Sequence, residues 1–98
     1  MHLQIVNFQL NGISREEYEA LLAEVSPVFQ TIPGLQSKYY LADEEGNTYG
    51  GVYIWENRQA MLDYQAGEIF QGIQQQPVFA QVTSRDFEVI EAPTFVKN

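Results

Sequence analysis

The sequence predicts an α+β sandwich, a single antiparallel sheet covered by helices, and three observations carry that prediction. Four stretches of strand length alternate in hydropathy or run apolar on both parities. Two longer stretches repeat apolar residues at three and four spacing. Turn chemistry separates them in the order β-α-β-β-α-β.

The first strand spans Leu3 to Leu10, with Leu3 and Ile5 on one parity and Val6, Phe8 and Leu10 on the other. A strand apolar on both parities is buried on both faces. Asn11-Gly12 ends it, and Ser14-Arg15-Glu16-Glu17 forms a capping box that opens a helix. That helix carries Tyr18, Leu21, Leu22, Val25, Val28, Phe29 and Ile32 as its stripe, with Pro27 marking a kink or break near its last turn. Pro33-Gly34 stops it. Leu35 to Leu41 forms the second strand, and the polar, Gly-containing link Asp43 to Asn47 is short enough for a hairpin into a third, Thr48 to Trp55. Glu56 or Asn57 starts a second helix, whose stripe is Met61, Leu62, Tyr64, Ile69, Phe70 and Ile73. Gly67 and Gly72 are expected to break it into shorter pieces before Gln74-Gln75-Gln76-Pro77. Val82 to Ile90 is the last strand, and residues 92–98 form a tail from Ala92-Pro93.

With 98 residues the chain suffices for one domain, 1–98, which buries roughly 60–70% of its unfolded surface. Hydrophobic residues make up 45%, including six Phe, six Tyr and one Trp, so a packed core is expected. A net charge of −8, with five basic residues, argues against nucleic-acid binding. Glu16, Glu17, Asp43, Glu44 and Glu45 read as solvated positions. No run reaches the roughly 18 apolar residues of a membrane helix, and the N-terminus lacks signal-peptide flanks, so a cytoplasmic location is expected. There is no cysteine and one histidine, His2, which excludes disulfides, thiolate chemistry and a polyhistidine metal site within one chain.

The element order most simply gives a ferredoxin-like sandwich with both helices on one face of the sheet. The other face would then be an exposed apolar patch, because the first and third strands are apolar on both parities. A homodimer packed sheet against sheet covers it most economically.

No phosphate loop, dinucleotide fingerprint or serine triad is present, which leaves an apolar pocket between helices and sheet as the place for chemistry. The stretches Leu10-Asn11-Gly12, Pro33-Gly34-Leu35 followed by Lys38 and Tyr40, Gly50-Gly51-Val52-Tyr53, and Phe87-Glu88-Val89 resemble the YdhR-type monooxygenase family over nearly the whole chain. The resemblance implies a dimeric α+β barrel, akin to the antibiotic-biosynthesis monooxygenases. Some members of that wider group oxidise aromatic substrates with O₂ and neither metal nor flavin; others degrade haem. The haem degraders carry a helix-borne His after a strand-three Trp, and Tyr64 to Gly72 offers none, which disfavours haem degradation.

The resemblance implies an Asn on the first strand and a Trp late in the third as catalytic positions, and Asn7 and Trp55 lie in comparable places. A cofactor-independent oxygenase needs a dry pocket, donors and a modest base. Trp55 offers an indole N–H and a stacking face, Tyr53 and Tyr39 offer hydroxyls, and Asn7 an amide; Phe70 adds apolar wall. Lys38 and Arg85 are the cations available to hold an anionic substrate. Each residue has a plain structural role as well: Trp55 as core or interface anchor, Asn7 as partner of nearby backbone, Lys38 and Arg85 as solvated charges, His2 as the start of a strand.

Within YGGVYIWEN, Tyr49 to Asn57, two glycines head a strong strand. Gly51 shares parity with Tyr53 and Trp55 and is expected to open the pocket on the helix side, and Gly50 to let the partner sheet approach. The first reading is a homodimeric oxygenase acting on an aromatic or other apolar small molecule without a bound cofactor. A non-catalytic ligand-binding or stress-related dimer and a purely structural oligomerisation module are the alternatives.

Overall fold

The computed structural model describes residues 1–97. Its elements are β1 (His2–Leu10), α1 (Arg15–Phe29), β2 (Leu35–Asp43), β3 (Thr48–Trp55), α2 (Arg58–Ala66), α3 (Glu68–Gln75) and β4 (Phe79–Glu88). The four strands form one antiparallel sheet in the order β2-β3-β1-β4, the ferredoxin-like arrangement predicted from the element order. Among the described residues, no helix is long and apolar enough to cross a membrane.

The local signals act as their chemistry requires. Ser14 accepts from the Glu17 backbone N–H while Glu17 accepts from that of Ser14, closing the capping box. Helix α1 runs through Pro27 and ends two residues later. Beyond it, Gln30, Thr31 and Ile32 donate to carbonyls three residues back, a tightening of the last turn. Gly67 divides the second helical stretch into α2 and α3 by taking an extended conformation between them. Gly72 does not break the helix as expected; it lies inside α3, where hydrogen bonding carries the chain through it.

The last strand starts at Phe79, three residues before the predicted Val82. Its early part pairs Gln9 with Ala80 and Leu10 with Phe79, then shifts register between Asn7 and Gln9, with Gln81 at φ +54°. That bulge interrupts the alternation, so the strand pattern is regular only from Val82 onward.

Strand alternation sorts the side chains into two faces. His2, Gln4, Val6 and Phe8 of β1 lie opposite Trp55, Tyr53, Gly51 and Tyr49 of β3, all buried beneath the helices. Tyr18 and Phe29 of α1, Met61 and Tyr64 of α2, and Phe70 of α3 complete the core. On the other face Leu3, Ile5, Val52 and Ile54 are only half-buried, and Tyr39 and Phe87 are 63% and 43% exposed.

Candidate functional site

A cavity of about 430 Å³ opens between the sheet and the helices α1 and α3. Leu22, Val25 and Phe29 of α1 form one wall, Ile69 and Ile73 of α3 another, and Gly51 and Tyr53 of β3 lie at its base. The apolar stripes of the two helices dictate this lining, and the break at Gly67 sets α3 at its own angle over the sheet. The volume is within the range of small-molecule sites.

The reactive group in that setting is Lys38, which projects from β2. Its Nζ lies 3.2 Å from the centroid of the Phe29 ring, 4.5 Å from that of Tyr40 and 4.6 Å from that of Tyr53. Among the described residues no carboxylate is within ion-pairing distance of it. The rings attract the protonated form, and burial, by stripping water from the amine, lowers the Lys38 pKa from its ordinary value to about 7.

Gly51 makes room for this side chain. A Cβ there would come within 3.1 Å of Lys38 Cε, 3.3 Å of the Tyr39 carbonyl oxygen and 3.5 Å of Tyr53 Cε1, so the demand for glycine is steric and comes from both the pocket and the neighbouring strand. Gly50 differs from expectation. It adopts φ +149°, and a Cβ on it would run into the Val6 carbonyl oxygen, so the demand for glycine comes from β1 within the same sheet rather than from an approaching partner.

Tyr53 shares a hydrogen bond with Tyr64, their hydroxyl oxygens 3.0 Å apart. Burial first, then the neighbouring Tyr64, pushes the Tyr53 hydroxyl far above the ordinary tyrosine range, and burial pushes Tyr64 up to about 12 against the effect of that bond. Both are neutral hydrogen-bonding groups at physiological pH.

Trp55 does not reach the cavity. It is fully buried behind Tyr53, its ring stacked parallel to that of Tyr53, and its indole N–H donates to Gln4 Oε1 at 3.0 Å. The Gln4 amide in turn donates to Gln65 Oε1 at 3.1 Å and Ser84 Oγ at 2.9 Å. The donor expected for substrate is therefore used inside the core. Gln4 was the residue sequence reasoning passed over. Its signal was a lone amide at the core parity of β1, directly opposite Tyr53.

The expected site residues divide by strand parity. Lys38, Gly51 and Tyr53 meet at the cavity, and Phe70 is buried against Tyr64 with their ring centroids 5.5 Å apart. Asn7, Tyr39 and Arg85 belong to the opposite face of the sheet. Asn7 donates to the Tyr49 carbonyl at 3.4 Å, Tyr39 is largely exposed, and Arg85 stacks over Phe87 at 5.2 Å. Phe29 and Tyr40, which complete the surround of Lys38, are the residues the site gains.

His2 is also outside the cavity. Its Nε2 is 2.7 Å from Asp86 Oδ2, and Arg58 Nε is 3.6 Å from the same oxygen. The His2 hydrogen bond, with help from Arg58, holds the Asp86 carboxyl below its usual range. A second concavity of about 570 Å³ between the α1–β2 connection and α2 is an open groove, with the exposed acids Glu56, Asp63 and Glu68 along it. Among the described residues no group of three or more His, Cys, Asp or Glu is placed to hold a metal ion. The cavity lining contains no His, Cys or Met; of the residue types that ligate haem iron it offers only tyrosine, at Tyr18, Tyr40 and Tyr53.

The fold is a ferredoxin-like α+β sandwich with an aromatic-floored cavity between its sheet and helices. Residues 3–98 match the family model described as "Putative mono-oxygenase ydhR", and the chain belongs to that family. Among solved structures it is similar to the haem degrader MhuD of Mycobacterium tuberculosis, which holds two haems in its active site. The TM-score is 0.73 at 20% identity, over 92% of this chain and 96% of that one. It is similar also to a mutant of SnoaB, a cofactor-independent oxygenase of Streptomyces nogalater, with TM-score 0.68 and 20% identity over 91% and 93% of the chains. A candidate antibiotic-biosynthesis monooxygenase of Deinococcus radiodurans superimposes with TM-score 0.77 at 15% identity over 99% and 100%. At these identities the likeness establishes the fold. No curated protein matches in sequence.

Proposed function

We infer that this chain is a homodimeric, cofactor-independent monooxygenase that oxidises an apolar hydroxyarene with O₂ in the cavity between helices and sheet. The observation that carries the reading is Lys38, an amine with no carboxylate partner among the described residues, facing an apolar cavity of about 430 Å³. Such an amine is a base matched to neutral pH.

The chemistry balances with these groups. The Lys38 amine takes the phenolic proton, and the resulting aryl oxide passes one electron to O₂. The radical pair combines at a ring carbon bearing hydrogen, giving a hydroperoxide. Loss of that ring hydrogen and cleavage of the O–O bond release water, leaving the second oxygen as a quinone carbonyl. The proton held on Lys38 returns to the departing oxygen. Tyr40 and Tyr53 place hydroxyl-bearing rings beside the amine, and the apolar walls keep water from the anion. Each step uses only side chains of the cavity, the bound hydroxyarene and O₂.

Dimerisation through the open sheet face is part of the same reading, supported by the exposed Tyr39 and Phe87 beside Leu3, Ile5, Val52 and Ile54. The test of catalysis is oxygen uptake with a series of hydroxynaphthalenes and anthrones. Lys38→Met is expected to lose about 100-fold or more in rate while retaining ligand binding. An unchanged rate in Lys38→Met contradicts the assigned base, and no uptake with any compound favours a binding protein.

A further inference from the structure

We propose that Lys38 is also a nucleophile, forming a reversible imine with apolar aldehydes or ketones that enter the cavity. Surface lysines are protonated and hydrated at neutral pH and add to carbonyls slowly. Lys38 is placed differently, with its Nζ among the rings of Phe29, Tyr40 and Tyr53, 3.2, 4.5 and 4.6 Å from their centroids, and with no carboxylate among the described residues within ion-pairing distance. A lysine desolvated in an apolar pocket is one of the recognised forms of activated amine. The lowering of its pKa to about 7 by burial agrees with this placement.

The step needs no oxidant or reductant. The amine lone pair attacks the carbonyl carbon, a C–N bond forms, and the carbonyl oxygen takes a proton to give a carbinolamine. Departure of that hydroxyl as water leaves a C=N bond, so one amine and one carbonyl give one imine and one water. Hydrolysis reverses it, and the apolar walls from Leu22, Val25 and Ile73 slow that reversal by limiting water. The titratable groups that line the same cavity are Tyr18 on α1, Tyr40 on β2, Tyr53 on β3 and Glu68 at the start of α3. Burial keeps Tyr18 and Tyr53 protonated. Glu68 is exposed, so it leaves the amine without a buried counter-ion.

The inference rests on the same cavity as the proposed oxygenation, namely on its admitting apolar ligands, but not on any reaction with O₂. The chain has only two lysines, Lys38 and Lys97, besides the N-terminal amine, so a label is readily assigned. The full chain is incubated with cinnamaldehyde near neutral pH, reduced with borohydride and mapped by mass spectrometry. Calorimetry with cinnamyl alcohol, which has the same shape but cannot form an imine, reports entry into the cavity.

The expected result is a reduced adduct at Lys38, at least about tenfold above that at the exposed Lys97. Its yield rises through pH about 7, it falls with excess cinnamyl alcohol, and it is absent in Lys38→Arg. Binding of the alcohol without an adduct at Lys38 overturns the imine and leaves the oxygenase reading intact. Equal labelling of Lys38 and Lys97 also overturns it, since ordinary surface amine chemistry then suffices. If neither compound binds and no adduct forms at Lys38, the imine is overturned, and oxygen uptake with hydroxynaphthalenes decides the oxygenase reading separately.

Discussion

Lys38 stands in the cavity at a thermodynamic cost whose sign fixes a pH dependence. Its folded pKa is about 7 against an ordinary 10.5. Between those values the unfolded chain binds a proton that the folded chain does not, so folding stability rises with pH from about 7 toward 10. Below about 7 both states are protonated and the full burial penalty remains. Above about 10 the trend reverses, because Tyr18, Tyr53 and Tyr64 hold protons in the folded state that the unfolded chain has begun to lose. Lys38→Met is therefore expected to be more stable than the parent near pH 6, by a few kcal/mol at most, with the advantage shrinking toward pH about 9.5. Urea unfolding across that range measures it, and parallel stability curves would contradict a depressed Lys38 pKa. At Gln4 the prediction is the opposite in sign. Gln4→Leu leaves the buried Trp55 N–H without its acceptor and should cost about 1–3 kcal/mol, read from the shift in urea midpoint.

The contents of the cavity were only partly legible in the sequence, and the reason is periodicity. Lys38 and Tyr39 are adjacent, so a two-residue repeat sends them to opposite faces, and the sequence does not say which face meets the helices until the strands are registered. Gly51, Tyr53 and Trp55 were grouped correctly by parity. What parity could not show is depth, since Trp55 spends its N–H on Gln4, behind the ring of Tyr53.

At the scale of elements, most boundaries follow from short-range chemistry. Ser14 and Glu17 announce α1, Asn57 caps α2 by accepting from the Ala60 N–H, and the Asp43–Asn47 connection makes the hairpin between β2 and β3. Ser14→Ala is expected to cost about 1 kcal/mol, seen as a lower urea midpoint at unchanged slope. The start of β4 was less legible because its bulge rests on pairing with Gln9 and Leu10, residues some 70 positions away. Gly50 shows the same limit. Its requirement for glycine comes from the Val6 carbonyl on the neighbouring strand, which only the assembled sheet reveals. Gly50→Ala is accordingly expected to be strongly destabilising, whereas Gly51→Ala, whose Cβ meets the flexible end of Lys38 at 3.1 Å and the Tyr39 carbonyl oxygen at 3.3 Å, should fold at a smaller cost and lose ligand uptake. Circular dichroism with thermal melting separates the two, and equal melting of both variants would contradict the distinction.

For the whole molecule, the unequal treatment of the two sheet faces is the dominant feature. One is covered by helices over aromatic packing from Phe8 to Phe70, with the cavity between them, while the other leaves Leu3, Ile5, Tyr39, Leu41, Val52, Ile54 and Phe87 half-buried or exposed. A stable interface covers about 800 Å² per partner, and a four-stranded face of this composition suits a second copy of itself. Val52→Lys, between Ile5 and Tyr39 in the middle of that face, is expected to yield a folded monomer by sedimentation velocity, and a persistent dimer would place the contact elsewhere. The net charge of −8 adds general repulsion between copies, so the interface should tighten with added salt.

The functional reading depends above all on Lys38, in its aromatic surround, removing the proton that lets a bound hydroxyarene react with O₂. Product analysis under ¹⁸O₂ is the sharpest measurement of that step. One labelled oxygen is expected in the quinone, formed at a rate that rises through pH about 7 and collapses in Lys38→Met. An unlabelled product, or a labelled one formed equally well by Lys38→Met, would rule the step out.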